Sequence, residues 1–309
     1  MKKINIHLMV CSLLCMTWSC SAQLSKSDTR EKIEKVSEEE WAEEFAKVET
    51  FNPEDFDETS IIIDNKWNPM IPGSDQIYEG VDIDEEGEEK AHTVMTAASD
   101  LTKVINGVRC LIIYERDYCE GKLEEQELAF FAQDKHGNVW HFGQYVEHYE
   151  DDGFFSGGRM WVAGTPKEAK AGIMMVADPK VDSPSWSVGW APAPFNWADR
   201  SQVHEMGKKV STKTKDYEDI LMVRESSHEE QNAYQLKYYA PGIGPVGVGW
   251  IGDDPNKETM DLVEVKELEA TEMAKMREEV MAMERRAAGY GNLPVAVQID
   301  KKHKLKNRK

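Results

Sequence analysis

The sequence predicts a mainly β protein: a long-stranded, curved antiparallel meander, open barrel-like or a half-barrel, with flanking N- and C-terminal amphipathic helices. Three observations carry that reading. Asn106-Gly107 separates two runs of strand-forming residues, and this dipeptide suits the left-handed backbone of a two-residue hairpin turn. Further turn clusters, Glu120-Gly121-Lys122, His136-Gly137-Asn138 and Asp151-Asp152-Gly153, punctuate the next runs at hairpin spacing. On either side of this region the apolar period changes to three-four, the period of a helix.

Taken in order, Lys2 and Lys3 precede an apolar stretch from Ile4 to Trp18 and small residues to Ala22, the layout of an export signal over 1–22. Cleavage after Ala22 gives a soluble exported chain; cleavage before Cys20 leaves that cysteine for acylation, so Cys20 is the candidate lipidation site. Residues 23–60 form an acidic helical segment or linker, with twelve Asp or Glu against three Lys from Glu31 to Ser60. Within it Ser37 and Glu40 make a capping box, and Trp41, Phe45 and Val48 recur at helical spacing.

Strand signals occupy 61–268 and read as Val94–Ile105, Val108–Cys119, Leu123–Asp134, Val139–Tyr149 and Phe154–Ala163. Cys110 and Cys119 fall on one of these strands with opposite facing, so no disulfide joins them. Pro184, Pro192 and Pro194, interleaved with Trp186, Trp190, Phe195 and Trp197, read as a long structured loop. Strand signals return at Ile220–Arg224, Tyr234–Ala240 and Leu262–Val265, so that 61–268 is expected to fold without its terminal additions. Residues 269–291 carry Met273, Met276, Val280, Met283 and Ala287 as a helical stripe, and 292–309 end in a basic tail.

The 309 residues carry 37 Lys and Arg against 57 Asp and Glu, a formal net charge of −20. A surface of that sign repels phosphate backbones, so no nucleic acid partner is expected. Beyond the leader no hydrophobic run is long enough to cross a bilayer, and membrane attachment is expected only through a lipid anchor at Cys20.

An ordered set of motifs resembles a family of uncharacterised exported bacterial β-rich proteins over about 61–268. It comprises Asn68-Pro69, Pro72-Gly73, Tyr78-Glu79-Gly80, the run from Ala132 to Gly143, Ala171 to Met175, and Tyr239 to Gly244. The stretch Asp134 to Gly143 is its most specific part. The resemblance implies an exported antiparallel β domain and brings no catalytic residues with it.

The sequence names no catalytic residue, metal ligand or cofactor. Asp82, Asp84, Glu86 and Gly87 imitate the start of a calcium loop, but its twelfth position is Thr93 rather than a bidentate Glu, so Asp84 to Glu89 read as an acidic hairpin tip. His148, Glu150, Asp151 and Asp152 at a turn read as solvated groups, and His141 and His148 sit at an odd separation, which on a regular strand puts them on opposite faces. The aromatic residues Trp186, Trp190, Phe195 and Trp197 are the ligand-binding candidates, as stacking surfaces for a small glycan or apolar molecule. The expected function is an exported cell-envelope module, binding or structural, without catalysis, whose partner is a small ligand or another envelope component. The alternative is a secreted hydrolase acting on glycan through a carboxylate pair.

Overall fold

A computed structural model describes residues 35–83, 87–150, 153, 155–157, 160–165, 167–255, 257–287 and 293–299. The export signal with Cys20, Asp84, Glu86, Asp151, Asp152, Gly289, Gly291 and the basic residues 301–309 lie outside them. Helix α1 (Glu38–Phe45) comes first. The strands follow as β1 (Ser74–Ile83), β2 (Glu89–Ile105), β3 (Val108–Cys119), β4 (Lys122–Gln133), β5 (Val139–Tyr149), β6 (Phe155–Gly157), β7 (Trp161–Val162) and β8 (Lys170–Met175). After these come β9 (Trp186–Ala191), β10 (Trp197–Ser211), β11 (Asp216–Ser227), β12 (Ala233–Ala240), β13 (Gly244–Gly252), β14 (Thr259–Glu267), helix α2 (Ala270–Arg286) and β15 (Val297–Gln298).

Twelve strands close into one antiparallel barrel in the order β1, β14, β13, β12, β11, β10, β9, β8, β5, β4, β3, β2 and back to β1. Short β6 and β7 lie on β5, and β15 lies on β2. The expectation of an open or half-barrel is corrected at one seam. Ser74–Ile83, not read as a strand from sequence, pairs with β14 on one side and from Asp75 to Ile83 with β2 on the other. The hairpin logic held where turn chemistry was strong: Asn106 and Gly107 take φ of 48° and 84°, and β3 and β5 begin and end at the expected residues.

The segment from Pro184 to Trp197 is not a loop. Trp186–Ala191 and Trp197–Ser211 are paired barrel strands, with Pro184 ahead of the first and Pro192 and Pro194 in the turn between them. Proline lacks only its own N–H, so at these positions it interrupts no ladder bond.

A barrel of this size leaves space inside. One end is stopped by the segment before β1, whose Ile61, Ile63 and Trp67 pack against Leu111, Phe131 and Leu221 from the inner wall. Asn65 anchors this plug, donating from Nδ2 to the carbonyls of Gly137 (2.9 Å) and Val176 (3.3 Å) while its Oδ1 accepts from the amides of Trp67 and Asn68. Asp134 fixes the neighbouring β4–β5 turn, accepting from the amides of His136 and Asn138 and from Trp140 Nε1 at 2.8 Å.

Helix α2 lies across the outside of β2 to β5. Met273, Met276, Val280 and Met283 join Cys110, Ile112, Phe130 and Phe142 in one buried cluster. Three ion pairs bind the same face. Arg277 clamps the fully buried Asp100 at 2.7 and 2.9 Å, Arg286 clamps the fully buried Glu147 at 2.7 Å on both oxygens, and Lys103 Nζ lies 2.8 Å from Glu284. The helix thus supplies core to the barrel rather than decorating it, which weighs against 61–268 folding alone. Helix α1 starts from the Ser37/Glu40 capping box and buries Trp41 and Phe45 against Ala198 and Tyr234; Val48 lies beyond the helix and is exposed.

Cys110 is buried under α2, Cys119 sits on the other face of β3, and both are free thiols. Among the described residues no helix is long and apolar enough to cross a membrane.

Candidate functional site

Alternation decides what the lumen contains. On β3, Ile112 and Tyr114 point out toward α2, so Ile113, Glu115 and Asp117 point in. Glu115 stands directly opposite Glu127 of β4, and Asp117 opposite Glu125, so two carboxylate pairs face each other across one strand interface. Glu225 on β11 and Asp199 on β10 add further carboxylates, and Lys237 on β12 reaches Glu225 at 2.9 Å. Of these inward-facing residues all but Glu125 border a cavity of about 920 Å³, whose remaining wall adds Lys215, Glu258 and Glu264 to a mostly apolar and aromatic lining that includes Phe131, Trp197 and Tyr239. At the end opposite the plug it opens into a second hollow of about 340 Å³, bordered by Asp82, His92, Asp117, Asp254 and Glu258.

Strand β5 reaches this wall through a bulge. Phe131 pairs with His141 and Ala129 with Gln144, so one extra residue is inserted at Gly143, where φ is +123°. Past it the facing reverses, and His148 stands opposite Glu125 on the inner face. The expectation that His141 and His148 face opposite sides is thereby corrected, because a one-residue insertion flips every later side chain. The two still belong to different places: His141 is buried on Phe131 and against Trp161 and Trp197, whereas His148 is half-exposed with Nδ1 3.0 Å from Glu125.

The wall's electrostatics follow from its burial. Burial raises the carboxyls of Glu115 and Glu127; the charges of Asp117 and Glu258 raise Glu115 further, and those of Glu115 and Glu125 raise Glu127. Glu125 is held up to about 7, first by burial and then by the charges of Glu115 and Asp117. Burial lowers His141 to about 4, leaving a neutral ring whose nitrogens make no hydrogen bond of normal geometry, although the carbonyls of Gly143 and Val188 lie near. Burial opposes the charge on His92, yet Asp117, Asp82 and Glu258 override it and push the imidazolium up to about 12. Lys237 is likewise raised against its burial by Glu225.

These shifts have a sign that can be tested. A carboxyl raised in the folded state binds its proton more tightly there than in the unfolded chain, so stability is lost as pH rises from about 4.5 toward 7. Glu125, faced by Glu115, Asp117 and His148, is the group placed to report it. The expected melting temperature is higher at pH 5 than at pH 8 by about 2–5 °C, a difference reduced in Glu125→Gln. Calorimetry showing stability that climbs over this interval contradicts the acidic-lumen electrostatics.

Of the aromatic candidates, Trp197 borders the cavity, while Trp186 is buried toward the plug among Met175 and Val203. Phe195 packs beside Trp161 and Ala169, and Trp190 lies under α1 with Tyr234. They form no common rim. The residues that do converge, Glu115, Asp117, Glu127, Glu225, Lys237, His92 and Glu258, were not singled out from sequence. The alternation in Glu115-Arg116-Asp117 and Glu125-Gln126-Glu127 was the available signal, since it sets acidic residues on one face of two adjoining strands.

No family model and no curated protein matches the chain. Among solved structures, it is similar to a Bacteroides fragilis protein described as exported and of YmcC-like fold. That match has 13% identity, 65% of this chain and 99% of that chain covered, and a TM-score of 0.34. It is also similar to a Parabacteroides distasonis protein described as a lipoprotein, at 11% identity, with 66% and 100% covered and a TM-score of 0.39.

Proposed function

We propose that this protein is an exported binding module of the cell envelope whose barrel holds a small organic cation. The observation that carries the reading is the sign of the lumen: Glu115, Asp117, Glu127, Asp199, Glu225, Glu258 and Glu264 border it, against Lys215 and Lys237. Carboxyls raised by burial regain their charge when a cation is placed among them, which makes cation uptake favourable there. Phe131, Trp197 and Tyr239 add aromatic faces that attract a cationic head and bury its apolar body. The aromatic contribution expected from sequence is thus retained for Trp197, and the carboxylates add a requirement for positive charge. The basic-then-apolar leader supports export, and Cys20 offers the anchor.

Benzyltrimethylammonium and its neutral isostere neopentylbenzene are suitable probes, read through tryptophan fluorescence and calorimetry. Binding of the cation is expected to weaken at least about tenfold in a Glu115→Gln/Glu127→Gln variant and to exceed binding of the neutral isostere. Equal binding of the two compounds overturns the proposal.

The glycan-hydrolase alternative also has an observation in its favour, the directly opposed pair Glu115 and Glu127, both raised by burial. Turnover of chromogenic glycosides that disappears in Glu127→Gln would establish it in place of the binding reading.

A further inference from the structure

We propose that His92, Asp82 and Glu258 bind a divalent transition-metal ion, with Zn²⁺ the fitting probe, at the open mouth of the barrel. The site goes beyond the lumen reading and does not depend on it. The three side chains come from β2, the end of β1 and the residue just before β14, three neighbouring strands, and their ligand atoms all lie within 4.8 Å of one another. His92 stands opposite Gly80 in the β1–β2 register. A Cβ at Gly80 would fall 1.7 Å from the Thr259 carbonyl oxygen, so only glycine permits this approach, which brings Glu258 to the edge that carries Asp82 and His92.

The histidine supplies the observation that separates this cluster from a patch of acids. His92 is only 8% exposed, and its Nδ1 makes no hydrogen bond of normal geometry, although it points at Glu258 Oε1 3.0 Å away and Asp82 Oδ1 3.3 Å away. Two ligands on a tetrahedral ion at about 2.0–2.1 Å stand about 3.3 Å apart, so these separations match atoms gathered round one centre. The other ring nitrogen, Nε2, bonds Asp117 Oδ1 at 2.5 Å. That is the carboxylate–histidine–metal arrangement, in which the outer carboxylate fixes the tautomer and aims the free nitrogen at the ion. An imidazole nitrogen among the donors selects a first-row transition ion over Ca²⁺ or Mg²⁺. Three protein ligands leave the fourth position facing the hollow at the mouth.

The test uses the full exported chain, stripped with chelator and titrated with Zn²⁺ by calorimetry. One saturable site is expected, weakened about a hundredfold in Asp82→Asn or Glu258→Gln and about 10–100-fold in Asp117→Asn, which acts as a positioning residue. Glu115→Gln/Glu127→Gln should leave Zn²⁺ binding intact, which separates this site from the lumen. Cys119→Ser should do the same: Cys119 lies opposite His92 across β2 and β3, but its sulfur is not one of the three ligand atoms gathered within 4.8 Å. X-ray absorption of the zinc-loaded wild type should show one imidazole and no sulfur, a result independent of whether any variant folds. No saturable site, affinity unchanged in Asp82→Asn, or a sulfur ligand each overturns the proposal. The first of these outcomes leaves His92 as an imidazolium clamped by three carboxylates.

Discussion

Ending the chain at Leu268 is expected to abolish cooperative unfolding. The truncation removes α2, and with it Met273, Met276, Val280 and Met283, each buried against the outer wall of β2 to β5. Truncating one such side chain to alanine costs about 2–5 kcal/mol, so losing all four rivals the roughly 5–15 kcal/mol by which a domain is stable. The strands left behind expose Ile112, Phe130 and Phe142 to water and leave Asp100 and Glu147 without their guanidinium partners. Circular dichroism of residues 23–268 should show no cooperative melt, or aggregation, where the chain with α2 melts sharply. A melt within a few degrees of the longer chain would restore the helix to the status of an appendage.

The second large effect is expected from Gly143→Ala. Gly143 has φ of +123°, and an added Cβ would lie 2.2 Å from the Trp161 carbonyl oxygen and 2.5 Å from Val162 Cα. Both obstacles are backbone, so neither can turn aside, and β7 must separate from β5. A cost of at least about 3–5 kcal/mol is expected, combining strained φ with lost packing. It should appear in denaturant titration as a lower midpoint, accompanied by loosened packing of His141 on Phe131. A midpoint shift below about 1 kcal/mol would mean that the bulge is replaceable.

The fold was legible where backbone chemistry is local. Asn106-Gly107 and the later Gly turns announced hairpins because φ above zero is expensive for other residues, and the strands between them followed. Ser74–Ile83 was missed because Gly80 and three acidic residues dilute its alternation; its strand state comes from the two partners it joins. Proline misled at Pro184 to Pro194, where all three residues punctuate strands instead of breaking them. The candidate site was less legible: Asp82 stood out only within an imitation of a calcium loop, and His92, Asp117 and Glu258 are ordinary polar positions in sequence. Only closure of the barrel makes neighbours of the first and last of them.

That closure also sets an order of events. Strand β1 is the first of the barrel strands to be made, yet one of its two partners, β14, comes last among them. Until then the β1–β2 hairpin presents an open row of amides and carbonyls, an edge able to pair with another chain. Contacts so distant in sequence are slow to form, so ring closure is expected to be a late step of folding, with the interval before it the one most exposed to aggregation. The same step completes the metal-ligand set at the mouth, because Glu258 immediately precedes the closing strand. Ion uptake would therefore report, in real time, the moment at which the ring shuts.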